Sequence, residues 1–100
     1  MQDPTILILA SLADGDKHGY AIMEDIHVFA GIRLGPGTLY GAICRLEERG
    51  WIRATWVSTE KGRKAKAYSL TAAGRKHLAA ERETWQRFSG ALTAILGTTQ

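Results

Sequence analysis

An α+β fold, mainly helical, follows from three observations in this 100-residue sequence. Apolar residues recur at helical spacing through three short segments before Gly50. The period then changes to that of a strand pair over 52–70, and a long helical pattern follows Thr71. Periodicity of this kind is the primary signal for secondary structure, because each element must turn its apolar side to a core.

The first helix is expected to open at Asp3-Pro4, with an acceptor at the N-cap and proline at the first helical position. Thr5–Ala13 is mostly apolar and reads as a helix buried on more than one side, ended by Asp14-Gly15-Asp16. A second helix starts at His18-Gly19-Tyr20 and runs to about Phe29. Tyr20, Ile22, Met23, Ile26 and Phe29 form its apolar stripe, with Glu24 and Asp25 outside. Ala30-Gly31 stops it. Leu34-Gly35-Pro36-Gly37 turns into a third helix, Pro36 to Arg49, with Leu39, Ile43 and Leu46 buried and Gly50 at its C-terminal stop. Ile52–Thr59 is rich in β-branched and aromatic residues and pairs with Ala65–Leu70 across the polar turn Glu60–Lys64. Thr71 caps the last helix, which extends to about Leu96. Gly74 in its first turn weakens the helical pattern locally.

Three helices, a hairpin and a long final helix make the winged helix-turn-helix plan. Residues 1–70 would form the winged domain and residues 71–100 a C-terminal dimerisation helix, the two packed as one compact unit.

Hydrophobic residues make up 45% of the chain and charged residues 23%, a globular composition that excludes a disordered tail. The net charge of +3 is unevenly placed. Residues 1–52 carry four Lys/Arg against seven Asp/Glu, whereas residues 53–76 carry seven against one. A local basic cluster points to a polyanionic partner, although a solvated charged face would look the same. Cys44 is the only cysteine, so an intrachain disulfide and a cysteine-based metal cage are excluded. The apolar run Ile6–Leu12 is too short to span a bilayer and lacks the flanks of a signal peptide, so a cytoplasmic protein without a membrane partner is expected.

The third helix turns Gly37, Gly41, Cys44 and Glu48 away from its buried stripe, with Thr38 and Arg45 on one flank and Tyr40 on the other. Two glycines there cost about 1 kcal/mol each in helix propensity relative to alanine. A bare face suits close approach to another large surface, as when a recognition helix enters the major groove of double-stranded DNA. Equally, Gly37 would serve the turn and Gly41 would relieve crowding against a neighbouring helix. Pro36, Gly37, Thr38, Tyr40, Gly41 and Arg45 are the candidate DNA-reading set, with His18 and Tyr20 contributing from the second helix. Lys61, Arg63, Lys64 and Lys66 at the hairpin tip suit phosphate neutralisation, or simply solubility. On the last helix Leu78, Trp85, Phe88, Leu92, Ile95 and Leu96 describe a heptad-like seam that outruns so small a body, which predicts self-pairing into a homodimer, with packing on the chain's own core as the alternative.

Motifs in order along the chain carry a family resemblance: His18-Gly19-Tyr20, Gly37-Thr38-Leu39-Tyr40, Arg45-Leu46-Glu47, Gly50-Trp51-Ile52, Gly62-Arg63-Lys64 and Tyr68-Ser69-Leu70-Thr71-Ala72-Ala73-Gly74, with Trp85 on the final helix. Together they resemble the PadR-like family of bacterial transcriptional regulators, in particular its short members with a single C-terminal helix. The resemblance implies a winged-helix homodimer that represses transcription from a palindromic operator, its terminal helices forming the dimer contact. It also implies a small, often aromatic effector between the subunits, which nominates Trp85 and Phe88 with Leu7 and Ile8 as walls; Trp85 would otherwise be a dimer anchor. Ala67 departs from the family, which commonly has a bulky residue before the tyrosine. With the sequence stopping at Gln100, a limited dimer surface and no large effector domain are expected.

Catalysis finds no support. His18, His27 and His77 lack metal-ligand spacing, and Cys44 has no general base that the sequence reveals. No phosphate-cradling loop or nucleophile elbow appears, so neither cofactor nor metal is expected. A winged-helix module for protein–protein contact remains the alternative, which the four cations of the hairpin tip argue against.

Overall fold

The computed structural model describes residues 4–97, so the proposed cap at Asp3 lies outside the described residues. The helices are α1 (Thr5–Ser11), α2 (Gly19–Ala30), α3 (Pro36–Glu48) and α4 (Ala72–Leu96). The strands are β1 (Lys17–His18), β2 (Ile52–Ser58) and β3 (Lys64–Leu70), joined in one antiparallel sheet of order β1-β3-β2. This is the winged-helix arrangement, with β2 and β3 as the wing.

The core lies where α1, α2 and α3 meet the base of the sheet. Ile8, Leu9, Leu12, Ile22, Leu39, Ile43 and Leu46 are its largest fully buried side chains, and Ile52, Tyr68 and Leu70 close it from the strands. α3 ends as its sequence predicts. Gly50 takes φ 75°, its amide reaches the Glu47 carbonyl, and the Trp51 amide reaches the Leu46 carbonyl, a Schellman stop.

Several expectations need correction. α1 ends at Ser11 rather than Ala13. Tyr20 and Phe29, expected on the apolar stripe of α2, stand in solvent, and only Ile22 and Ile26 of that stripe are fully buried. The core is narrow, and residues at the two ends of α2 overhang it. Asp25 does not stay outside. It accepts hydrogen bonds from Ser11 Oγ at 2.7 Å and from Lys17 Nζ at 2.5 Å. Lys17 also reaches the Ser11 carbonyl and Asp14. The Lys17 ammonium and the Ser11 hydroxyl hold the Asp25 carboxyl below the usual carboxylate range, and Asp25 holds Lys17 above the usual ammonium range. This cluster anchors the α1–α2 connection and places β1 beside the wing.

Gly74 is a requirement rather than a weakness. Thr71 caps α4 by accepting from the Gly74 amide at 3.0 Å, while its hydroxyl donates to the Gly50 carbonyl at 2.6 Å. The Thr71 amide in turn donates to the Trp51 carbonyl at 3.0 Å. These bonds draw α4 so close that a Cβ on Gly74 would overlap the Trp51 carbonyl group, 2.9 Å from its carbon. Beyond that junction His77 stacks on Trp51 with ring centroids 3.8 Å apart, and Leu78 packs on the core.

Gly74→Ala gains helix propensity but forces backbone apart, and overpacking of this kind costs about 1–3 kcal/mol. The urea midpoint should fall with an unchanged m-value; an equal or higher midpoint would contradict the packing described.

Candidate nucleic-acid interface

Four of the residues nominated for DNA, His18, Tyr20, Tyr40 and Lys66, line one cleft between the wing and α3. α3 begins at Gly35-Pro36 with no side-chain cap, and Pro36 occupies the first turn, where a missing amide costs nothing. Pro36, Gly37, Thr38, Tyr40 and Arg45 are exposed, and Gly41 is half-buried. A Cβ on Gly37 would meet nothing within 4 Å, and one on Gly41 would meet only the Arg45 guanidinium, at 3.9 Å. Crowding therefore does not explain Gly41. Its bare backbone lies beneath the Arg45 side chain.

Tyr40 is fixed more tightly. Its ring lies across Gly19 so closely that a Cβ there would overlap the hydroxyl and come within 2.8 Å of Cζ. The Gly19 of His18-Gly19-Tyr20 and the Tyr40 of Gly37-Thr38-Leu39-Tyr40 are thus two halves of one contact. Tyr68 is buried beneath them. Desolvation pushes its hydroxyl up, with Tyr40, Glu47 and Cys44 acting in the same direction, so it stays neutral.

His18 stands at the start of the second helix, as the N-cap of α2, and is also the last residue of β1. Its Nδ1 sits 2.8 Å from the Lys66 carbonyl on β3, a geometry in which Nδ1–H donates. Strand β1 itself is two residues long, with Lys17 opposite Tyr68 and His18 opposite Ala67. The base of the wing is therefore tied to the start of α2, and Tyr20 stands exposed just beyond.

Thr59 holds the wing turn. Its amide donates to the Arg63 carbonyl at 2.7 Å, its hydroxyl accepts from the Arg63 amide, and Gly62 takes φ 78°. Lys61, Arg63, Lys64 and Lys66 are all exposed on this hairpin. Lys66 Nζ lies 5.6 Å from the ring centroid of Trp56, directly across on β2. Trp56 is the residue that sequence reasoning passed over. Alternation from the buried Ile52 through Ala54 to Trp56 was the signal available.

The remaining candidates lie elsewhere. On α4, Trp85, Phe88, Leu92, Ile95 and Leu96 are exposed, with Phe88 edge-on to Trp85 at 6.0 Å between centroids. Leu78 faces the core of its own chain instead. Leu7 and Trp85 line one cleft, together with Trp51, His77 and Arg49. Ile8 is 0% exposed and cannot wall a ligand site; the bulk of α1 around it is core. Among the described residues, no helix is long and apolar enough to cross a membrane.

Neither Gly37 nor Gly41 has φ above zero. Gly41→Ala should therefore raise stability by up to about 1 kcal/mol through helix propensity, read as a higher melting temperature. A loss of stability would show an internal packing role for this glycine.

Comparison with known proteins gives these features a family. Residues 8–80 match the family described as "Transcriptional regulator PadR-like family". The structure of a PadR family transcription regulator from Clostridium difficile R20291 is 26% identical, with 96% of this chain and 100% of that one covered at a TM-score of 0.85. A transcriptional regulator from Clostridium thermocellum is 27% identical over 90% of this chain and 89% of its own, with a TM-score of 0.74. A 37.1 kDa protein of transposon TN4556 from Streptomyces fradiae is 47% identical over 88 residues. The chain spans about a quarter of that relative, 24% of its length. The protein belongs to the PadR-like family of transcriptional regulators.

Proposed function

We propose that this chain is a sequence-specific regulator that binds a palindromic operator as a homodimer and represses transcription. Release by a small aromatic compound is the proposed mode of control. The observation that carries the reading is that Tyr40 of α3 and Lys66 of the wing line one cleft, together with His18 and Tyr20. The bare, uncapped N-terminal half of α3 lies beside a wing whose exposed cations include Lys61, Arg63, Lys64 and Lys66. A recognition helix entering the major groove needs an open face and free amides near phosphate. A wing needs charge, which supplies affinity without reading sequence. Thr38, Tyr40 and Arg45 are the base-reading candidates, and Tyr20 and His18 flank them.

Pairing is supported by the last helix. Helix α4 has 25 residues, and only its first turns pack on the body. From Trp85 to Leu96 it offers an unpartnered apolar face, which a second copy of the same helix would cover by two-fold symmetry. Two winged bodies joined in this way would present two recognition helices to two half-sites. Leu7 and Trp85 on one cleft, with Phe88 against Trp85, support an effector site near that junction.

Lys61→Ala with Lys64→Ala should weaken binding equally on operator and random DNA and lower the salt slope by about 0.9 for each phosphate no longer neutralised. Thr38→Ala should instead change sequence preference. A wing double variant that binds as tightly as wild type at moderate salt would remove the wing from the interface.

Trp85→Ala should shift the protein toward monomer in equilibrium ultracentrifugation, since truncating a large buried aromatic costs about 3–5 kcal/mol. A monomeric wild-type protein would end the homodimer proposal.

A further inference from the structure

The wing carries an aromatic side chain that the fold does not use. Alternation along β2 and β3 puts Ile52, Ala54, Trp56, Leu70, Tyr68 and Lys66 on the inner face of the sheet. The first two cross-strand pairs, Ile52 with Leu70 and Ala54 with Tyr68, close the core. Trp56 opposite Lys66 is the next pair outward, beyond the helices that would cover it, and Trp56 remains 62% exposed. It borders a cleft between the wing and α3 that is also lined by His18, Tyr20, Tyr40 and Lys66. Tyr20 is 72% exposed and Tyr40 43%.

Resting on the DNA-binding reading above, we propose that this cleft seats the sugar–phosphate backbone along the edge of the groove that α3 enters. Trp56 packs its ring face against a deoxyribose, and Lys66 meets the adjoining phosphate. The chemistry of the walls fits such an occupant. A sugar offers an apolar face to an indole, and the phosphate beside it needs a cation a few ångströms away. The ammonium over the Trp56 ring at 5.6 Å places both partners together. Thr59 and Ala65, which flank the hairpin turn that carries Arg63 and Lys64, line the same cleft, as does Tyr40 of α3. Its position is also fixed, because His18 ties Lys66 of β3 to the start of α2. Trp56 thus contributes affinity shared by all sequences, by a contact that carries no charge.

The absence of charge makes the contact separable from its neighbours. DNA binding of the full chain would be measured by fluorescence anisotropy over a range of salt for wild type, Trp56→Ala, Trp56→Phe and Lys66→Ala. Trp56→Ala should bind roughly tenfold more weakly on operator and random duplex alike, with the salt slope of the wild type. Lys66→Ala should lower that slope by about 0.9. Trp56→Phe keeps a flat apolar ring and should recover most of the affinity. Acrylamide quenching of wild type against Trp56→Phe isolates the indole at this position, which should become shielded when duplex is added. An unchanged melting temperature in Trp56→Ala confirms that the exposed ring is not a folding element. Wild-type affinity in Trp56→Ala, or an indole equally quenched with and without DNA, would overturn the proposal while leaving the regulator reading intact. A wild-type protein that binds no duplex would instead remove the reading on which the proposal rests.

Discussion

The ring of Tyr40 lies directly over Gly19, and the arrangement of α2, α3 and the wing depends on that contact. No side chain larger than hydrogen fits at position 19 while Tyr40 holds its place. The contact sets the distance between the start of α2 and the first turns of α3. One residue earlier, His18 reaches the Lys66 carbonyl, so the same short segment also sets the base of the wing. Three elements far apart in sequence are thereby registered to one another through Lys17, His18 and Gly19. The Lys17–Asp25–Ser11 cluster holds that segment from behind. Preorganisation of this kind matters for recognition, because flexible elements must be ordered at the expense of affinity.

A second junction governs the rest of the molecule. Thr71 bonds to Gly50 and Trp51, and Gly74 permits α4 to start against the Trp51 carbonyl. The direction of α4 is decided there, within a single turn. Leu78 and the His77–Trp51 stack hold it for the next turn, and the remainder projects beyond the body with its aromatic and aliphatic residues exposed. That exposed face is what the proposed pairing rests on.

Much of this is legible in the sequence, and the parts that are not share a cause. The four helices and the hairpin follow from periodicity and from stops such as Gly31, Gly50 and Thr71, all local signals. Strand β1 carries no strand-forming residue; it exists because β3 offers an open edge to Lys17 and His18. Asp25 reads as a solvent-facing acid until Ser11 and Lys17 are brought beside it. Gly74 reads as a helix defect until Trp51 is brought against it. Tyr20 and Phe29 fit the helical stripe but overhang a core too narrow to cover them. The family resemblance nominates Ile8 as a ligand wall, and the sequence does not show which side of a mostly apolar helix is interior. Trp56 is visible through alternation alone, and its meaning comes only from seeing where the inner face of the wing outruns the core.

The central claim is that α3 and the wing together form a surface that reads double-stranded DNA. Titrating the purified protein against the duplex upstream of its own gene and against random duplex, from low to high salt, tests it most directly. Preference for the upstream duplex is predicted, with affinity falling steeply as salt rises, in proportion to the phosphates neutralised. Absence of binding to either duplex at low salt would contradict the claim and would assign this surface to a protein partner.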